Sequence, residues 1–202
     1  MQEASKYTAR IAKTEIDVQL AQAMRANQFG VGKIAGALDI DRFDAVSNHV
    51  LIERRDTGAL MACFRFLHFQ ENQDVNDSYS AQFYDLQRLK LYARPMIEIG
   101  RFCVEGGVQD YELLRVAWAY LTRYVDTNNI ALMFGCSSFE GTDETKYTDA
   151  FALLKERHLA PDMWKPQVKF PEVYQYAECL KEYKPVLQEA NQTMPPLLRT
   201  YL

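Results

Sequence analysis

The segment "MIEIGRFCV", residues 96–104, puts Glu98 and Arg101 into an apolar run rich in strand-forming residues. Charges in a core strand are costly unless they are paired or working. Strict pleating sets Met96, Glu98 and Gly100 on one face and Ile97, Ile99 and Arg101 on the other. The two charges then cannot share a face unless the strand is re-phased. Gly100 lies between them and would tolerate a β-bulge, which predicts a bulge between residues 99 and 104. Directly after this strand comes the clearest helix of the chain, "GGVQDYELLRVAWAYLTRYVDTNN". Asp110 is its expected N-cap, and Leu113, Leu114, Ala117, Trp118 and Leu121 form its apolar face.

Other elements arrange themselves around this unit. "YTARIA" alternates and predicts a short strand. "TEIDVQLAQAMRANQF" predicts a helix capped by Thr14. "VGKIAGALDIDRFD" reads as a loop with one helical turn. "NHVLIER" and "ALMACFRFLHF" flank "RDTG", which is turn chemistry, so an antiparallel hairpin is expected. "FYDLQRLKLYA" reads as a short helix and "IALMFGCSS" as an apolar strand. "TDETKYTDAFALLKERH" reads as a second amphipathic helix, with Tyr147, Ala150, Phe151 and Leu154 on one side. "PEVYQYAECLKEYKPVLQEANQ" predicts helix broken near Pro185. This order gives an α+β domain with helices on a largely antiparallel, mixed sheet.

Charge narrows the function. The chain of 202 residues carries 23 basic and 27 acidic side chains. That balance argues against general nucleic-acid binding. No apolar run approaches membrane-spanning length. The first residues lack the apolar core of a signal peptide. A cytoplasmic protein is expected, with any membrane contact peripheral. Cys63, Cys103, Cys136 and Cys179 are scattered, as are His49, His68 and His158, so reduced thiols and no metal site are expected.

Particular residues sharpen this reading. "AMRANQF", "LDIDRFD", "HVLI", "FRFL", "IEIGRFCV", "MFGCSS" and "MPPLLRTYL" follow one another along the chain. In that series the chain resembles the ornithine N-acyltransferases of ornithine-lipid synthesis. The spacing of Arg25, Phe29, Asp39–Asp41–Asp44, Arg65 and Glu98-x-x-Arg101 is also similar to acyl-homoserine-lactone synthases and N-acyl amino acid synthases. The resemblance implies a GCN5-related N-acetyltransferase fold with helices on both faces of the sheet. It implies a single acyl-CoA N-acyltransferase-like domain over residues 1–202, without the strands that follow the proline pair in that family. It further implies transfer of a 3-hydroxyacyl chain from acyl carrier protein to the α-amine of ornithine, giving lyso-ornithine lipid. Acetyl-CoA enzymes of this fold place a basic lead residue before their glycine loop. "EGGVQD" has none, which fits a carrier-protein phosphopantetheine arm as donor and no resident cofactor.

The roles that follow are expectations. Glu98 takes the amine proton or grips the acceptor's ammonium, against the alternative of an ion pair that only holds the sheet. Gly100 permits the bulge, which frees a backbone N–H for the thioester oxygen. Arg101 anchors nearby carboxylates. Arg25, Asp41, Asp44 and Arg65 form an ionic network at the acceptor entrance, against a merely solvated loop. Phe29 and Phe43 cover the site or belong to the core. Phe102, Cys103, Val104, Cys136 and Ser137 line the acyl and pantetheine cleft. Cys136 is not a nucleophile, because direct attack by the amine needs no acyl-enzyme. Tyr147 protonates the leaving thiolate or, the stronger alternative, packs in the core. The strand of Glu98 splays from "ALMFGCSS", opening a V-shaped slot. Arg88, Lys90, Arg94 and Arg115 are the expected docking residues for an acidic carrier protein. The rival readings are the same chemistry on glutamine or another amine, and a catalytically silent lipid- or carrier-binding protein.

Overall fold

The computed structural model describes residues 5–29, 36–70, 74–106, 110–170 and 172–202. Its strands are β1 (Tyr7–Ile11), β2 (Asn48–Arg54), β3 (Leu60–Phe69), β4 (Tyr84–Asp85), β5 (Met96–Val104), β6 (Leu132–Phe134) and β7 (Gln167–Val168). Its helices are α1 (Glu15–Phe29), α2 (Tyr111–Thr127), α3 (Thr148–Arg157), α4 (Tyr176–Cys179), α5 (Leu187–Thr193) and α6 (Pro196–Tyr201). The chain divides into two compact units.

The first unit, residues 1–74 and 93–135, holds a five-stranded sheet in the order β1-β2-β3-β5-β6. The first four strands pair antiparallel and β6 runs parallel to β5. The β2–β3 hairpin forms where expected. Gly58 sits at φ +69 in its turn, a left-handed conformation that a side chain disfavours. Thr14 caps α1 by accepting from the Asp17 N–H at 3.1 Å, and Asp17 accepts in return from the Thr14 N–H at 3.2 Å. Asp110 caps α2 through the Glu112 N–H at 2.9 Å.

Each sheet face buries a different helix. On one side Val50, Ile52, Ala62, Phe64, Phe66, Ile97 and Ile99 meet Leu113, Ala117 and Leu121 of α2. On the other, Leu51, Cys63 and Cys103 meet Ala21 and Met24 of α1. Burying a Leu or Phe side chain contributes about 1.5–3 kcal/mol, so the α2 face supplies much of this unit's hydrophobic stabilisation.

In the second unit, residues 75–92 and 136–202, Ala150 and Leu153 of α3 pack with Ala190 and Met194. Phe151 stands against Phe139, Tyr174 and Tyr176. Lys155 Nζ donates to the carbonyls of Leu180, Lys181 and Tyr183 and holds the chain beyond α4. "FYDLQRLKLYA" is not a helix. It forms β4, paired with β7, and one 3-10 turn at Leu89–Leu91. Its apolar residues recur too closely to distinguish a helix from a strand and a turn. The second amphipathic helix is also shorter than its pattern, since Glu144–Tyr147 is a 3-10 turn ahead of α3.

Candidate active site

The bulge lies on β5, and its position explains the charged strand. Cys63 pairs with Cys103 and Arg65 with Gly100, so three steps along β5 match two along β3. The burial pattern says the same: Ile97 and Ile99 face α2, and the next residues to do so are Phe102 and Val104. One extra residue therefore sits between Gly100 and Phe102. That residue is Arg101, at φ +53. This corrects the role given to Gly100: the glycine stays in the ladder opposite Arg65, and the arginine takes the left-handed conformation. A non-glycine residue there costs about 1–2 kcal/mol, which its side-chain partners must offset. The re-phasing puts Glu98, Gly100 and Arg101 on the α1 face together.

Those partners form an ionic network. Arg25 Nε donates to Asp39 Oδ2 at 2.9 Å and Arg25 Nη2 to both oxygens of Asp44 at 2.9 Å. Arg25 Nη2 also donates to the Asp39 carbonyl. Arg65 Nη1 reaches Asp41 Oδ1 at 2.7 Å and Asp44 Oδ1 at 2.5 Å, and its Nη2 reaches Asp41 Oδ2 at 2.6 Å. Arg101 Nε donates to Asp39 Oδ2 at 3.0 Å and its Nη2 to Asp41 Oδ2 at 3.4 Å. Three guanidinium groups thus meet three carboxylates. Among the described residues no group of His, Cys, Asp and Glu is arranged to hold a metal ion; these aspartates are answered by arginines.

The local sequence builds this network for plain reasons. The 3-10 turn at Asp44–Val46 folds the loop back, and Asp41 accepts from the Phe43 N–H at 2.9 Å. Gln22 Nε2 on α1 donates to Asp44 Oδ2 at 3.0 Å. The Asp39 N–H donates to the Gln22 carbonyl at 3.1 Å, tying the loop to the helix. Phe43 is buried with the Arg65 guanidinium 5.8 Å from its ring. Phe29 is 47% exposed and lies under the Arg101 guanidinium at 5.4 Å, so it covers rather than fills.

Burial alone would push the Asp41 and Asp44 carboxyls up. For Asp41 the Arg65 hydrogen bonds and charge outweigh it, and for Asp44 the Arg25 charge does so with Gln22 and Arg65 hydrogen bonds. Both are held below the ordinary carboxylate value. His49, on β2 opposite Arg65, donates from Nε2 to the Asp44 carbonyl at 3.0 Å. Burial holds its ring below the ordinary histidine value, as it does for His68.

Folding stability should therefore drop in two stages as pH falls. Below the ordinary histidine value of 6.5, the unfolded chain takes up protons that buried His49 and half-buried His68 refuse. Below the ordinary aspartate value of 3.8, the unfolded chain protonates carboxyls that the network keeps ionised. Thermal melts from pH 8 to pH 3 check this. The double variant His49→Asn, His68→Asn should lose the first stage and keep the second; an unchanged profile would refute the assignment.

The expected residues are distributed as follows. Arg25 and Asp44 are buried members of the network. Arg65 is equally buried, whereas Asp41 and Arg101 reach solvent. Glu98 is 4% exposed and pairs with Leu67 and Phe134 in the ladders. Phe102 stacks on Phe64 at 5.5 Å and Val104 packs toward α2. Cys103 is 3% exposed beside Cys63, so what it can offer a donor is backbone. Cys136, Ser137 and Tyr147 belong to the second unit. Cys136 Sγ donates to Ser80 Oγ at 3.3 Å and Ser137 is exposed. The Tyr147 hydroxyl donates to the Glu140 carbonyl at 2.7 Å and its ring meets Phe139, which favours packing over acid catalysis. Arg94 and Arg115 lie on the first unit, Arg88 and Lys90 on the second. The sequence assigns no site role to His49, nor to Asp39 although it stands in the Asp39–Asp41–Asp44 pattern. The DxDxxD spacing was the available signal for Asp39.

β5 and β6 pair only at Met96↔Leu132, Ile97↔Met133 and Glu98↔Phe134. The next residue, Gly135, lies so near that a Cβ on it would stand 2.2 Å from the Ile99 carbonyl oxygen. The strands therefore still touch at this glycine, one residue past the last ladder pair, Glu98↔Phe134.

The chain matches a family model described as an acetyltransferase (GNAT) domain over residues 22–119, which contains the network and the bulge. It is 28% identical to an L-ornithine N(alpha)-acyltransferase of Rhodobacter capsulatus over 210 residues, 97% of this chain and 80% of that one. Among solved structures it is similar to the AHL synthase LasI, with 18% identity and a TM-score of 0.45 over 64% of this chain and 71% of that one. It is also similar to FeeM, an N-acyl amino acid synthase from uncultured soil microbes, with 16% identity and a TM-score of 0.46 over the same shares. The similarity to proteins named L-ornithine N(alpha)-acyltransferase extends over 96–97% of the chain.

Proposed function

We propose that this chain, which has the GCN5-related N-acetyltransferase fold, is an N-acyltransferase that acylates the α-amine of ornithine. The observation that carries the reading is the location of Glu98. It is a buried carboxylate at the last β5–β6 pair, on the strand face that bears the ionic network, just before a bulge. Similarity to proteins named L-ornithine N(alpha)-acyltransferase supports the acceptor. The proposed donor is an acyl thioester on the phosphopantetheine arm of acyl carrier protein, and the proposed product is lyso-ornithine lipid. The lack of a basic lead residue in "EGGVQD" supports a carrier-protein donor over a coenzyme A pyrophosphate site.

The chemistry follows from the groups available. The acceptor's α-amine attacks the thioester carbonyl, forming the C–N bond. Negative charge gathers on the carbonyl oxygen, where a backbone N–H turned out of the ladder by the bulge stabilises it. Glu98 accepts the amine's proton, directly or through a water. The tetrahedral adduct then collapses, the C–S bond breaks, and the thiolate leaves to take up a proton.

The test is a mass-spectrometric assay with acyl carrier protein and acyl-CoA donors against a panel of amino acids. The expected result is N-acylornithine formed from the carrier-bound donor, at a rate that falls as ionic strength rises. Acylation of glutamine in preference to ornithine would reassign the acceptor. Equal use of acyl-CoA would remove the carrier-protein donor, and no acylated amine from any pairing would end the enzymatic reading.

A further inference from the structure

Among the described residues the network sets three guanidinium groups against three carboxylates. What it can offer a substrate is set by which members reach solvent. The side chains of Arg25, Asp39, Asp44 and Arg65 are 1–8% exposed, whereas those of Asp41 and Arg101 are 21% and 23% exposed. The contact joining Asp41 and Arg101 is the long one at 3.4 Å; the other side-chain ion pairs of the network span 2.5–3.0 Å. Each of the two also keeps a shorter bond to a buried partner. Asp41 has Arg65 at 2.6 Å and Arg101 has Asp39 at 3.0 Å. Parting Asp41 from Arg101 therefore leaves both oriented and neither stripped of its counter-charge.

We infer that Asp41 and Arg101 are the acceptor-recognition pair: Arg101 binds the α-carboxylate of a dibasic amino acid and Asp41 binds its side-chain ammonium. This deepens the proposed function and rests on it. A zwitterionic ligand with an additional cationic end replaces the weakest ion pair of the network by two charge-assisted contacts. Glu98 lies on the same face of β5, so an amino acid held by its carboxylate at Arg101 can turn its α-amine toward that carboxylate. Asp39, which accepts from both Arg25 and Arg101, is a positioning residue that holds the guanidinium of the left-handed Arg101. Selection comes from removing partners. An acceptor without the side-chain cation, or with an amide in place of its carboxylate, leaves one half of the pair unanswered, and rejection of such analogues is characteristically strong.

The test uses four acceptors with the intact chain: ornithine, lysine, norvaline and ornithine amide, with kcat and KM measured for each. For the unaltered protein, kcat/KM should fall by about 10²–10³ from ornithine to norvaline and to ornithine amide, while lysine stays within about tenfold. In Asp41→Asn the preference for ornithine over norvaline should shrink to within a few fold, through a raised KM for ornithine. Thermal melting of the variant separates a folding defect from a recognition defect, and the analogue series on the unaltered protein needs no variant. If the unaltered protein acylates ornithine but takes norvaline and ornithine amide equally well, the recognition pair is overturned and the proposed function stands. Asp41→Asn lowering ornithine and norvaline alike, with folding intact, overturns the pair in the same way. If no amino acid is acylated, the proposed function fails and the pair fails with it.

Discussion

Glu98→Gln should lower kcat by about 10²–10⁴, the range for loss of a general base, with the fold retained. The change is isosteric, and the amide keeps one oxygen acceptor in the space that the carboxylate fills. What is lost is the capacity to take the amine's proton. Acceptor KM should move less than kcat, because Asp41 and Arg101 are untouched. Circular dichroism and a melting curve would establish the fold, and steady-state kinetics with ornithine would read the loss. Turnover near that of the unaltered protein would remove Glu98 from the mechanism and leave it as a member of the sheet.

Arg25→Met should be the most damaging single change to stability. Arg25 is 1% exposed and answers Asp39 and Asp44 at once. Methionine fills much of the volume and strands two buried carboxylates with fewer partners. Breaking a buried ion pair by removing one member costs about 3–5 kcal/mol, a large share of a stability of about 5–15 kcal/mol. Arg10 is the control. It also bridges two carboxylates, Asp17 and Glu53, but its side chain is 35% exposed. Arg10→Met should cost about 1 kcal/mol or less, as solvent-screened pairs do. Urea midpoints at a constant slope would read both changes. Equal losses would mean that burial does not decide the strength of the network.

The two changes separate chemistry on β5 from architecture on α1. The bulge links them. Arg101 adopts a conformation that a glycine would adopt more readily, and it is held there by Asp39 and by the Phe29 ring. The residue that pays this local cost is the one whose guanidinium is wanted at the exposed end.

Much of this was legible in the chain. The alternation of β1, β2 and β3 and the 3.6-residue period of α2 gave element types, because local pleat and helix geometry leave their period in the pattern of apolar residues. Thr14 and Asp110 marked helix starts through their own hydrogen bonds. The spacing of Glu98 and Arg101 required a bulge, since two charges three apart cannot share a face of a regular strand. Short apolar runs were less informative. "FYDLQRLKLYA" turned into a strand and a 3-10 turn because β7, far along the chain, supplies the pairing partner of β4.

What the sequence by itself determined is therefore the set of charges and the need to bring them to one face. Only tertiary structure decided which of them are buried. Arg25 and Arg101 are the same residue type, and each bonds Asp39. Arg25 stands on the buried face of α1, whereas Arg101 stands at the β5 bulge on the solvent-reaching edge of the network. Burial, and with it the division between groups that stabilise and groups that can meet a substrate, is a property of the converged elements and not of any stretch of sequence.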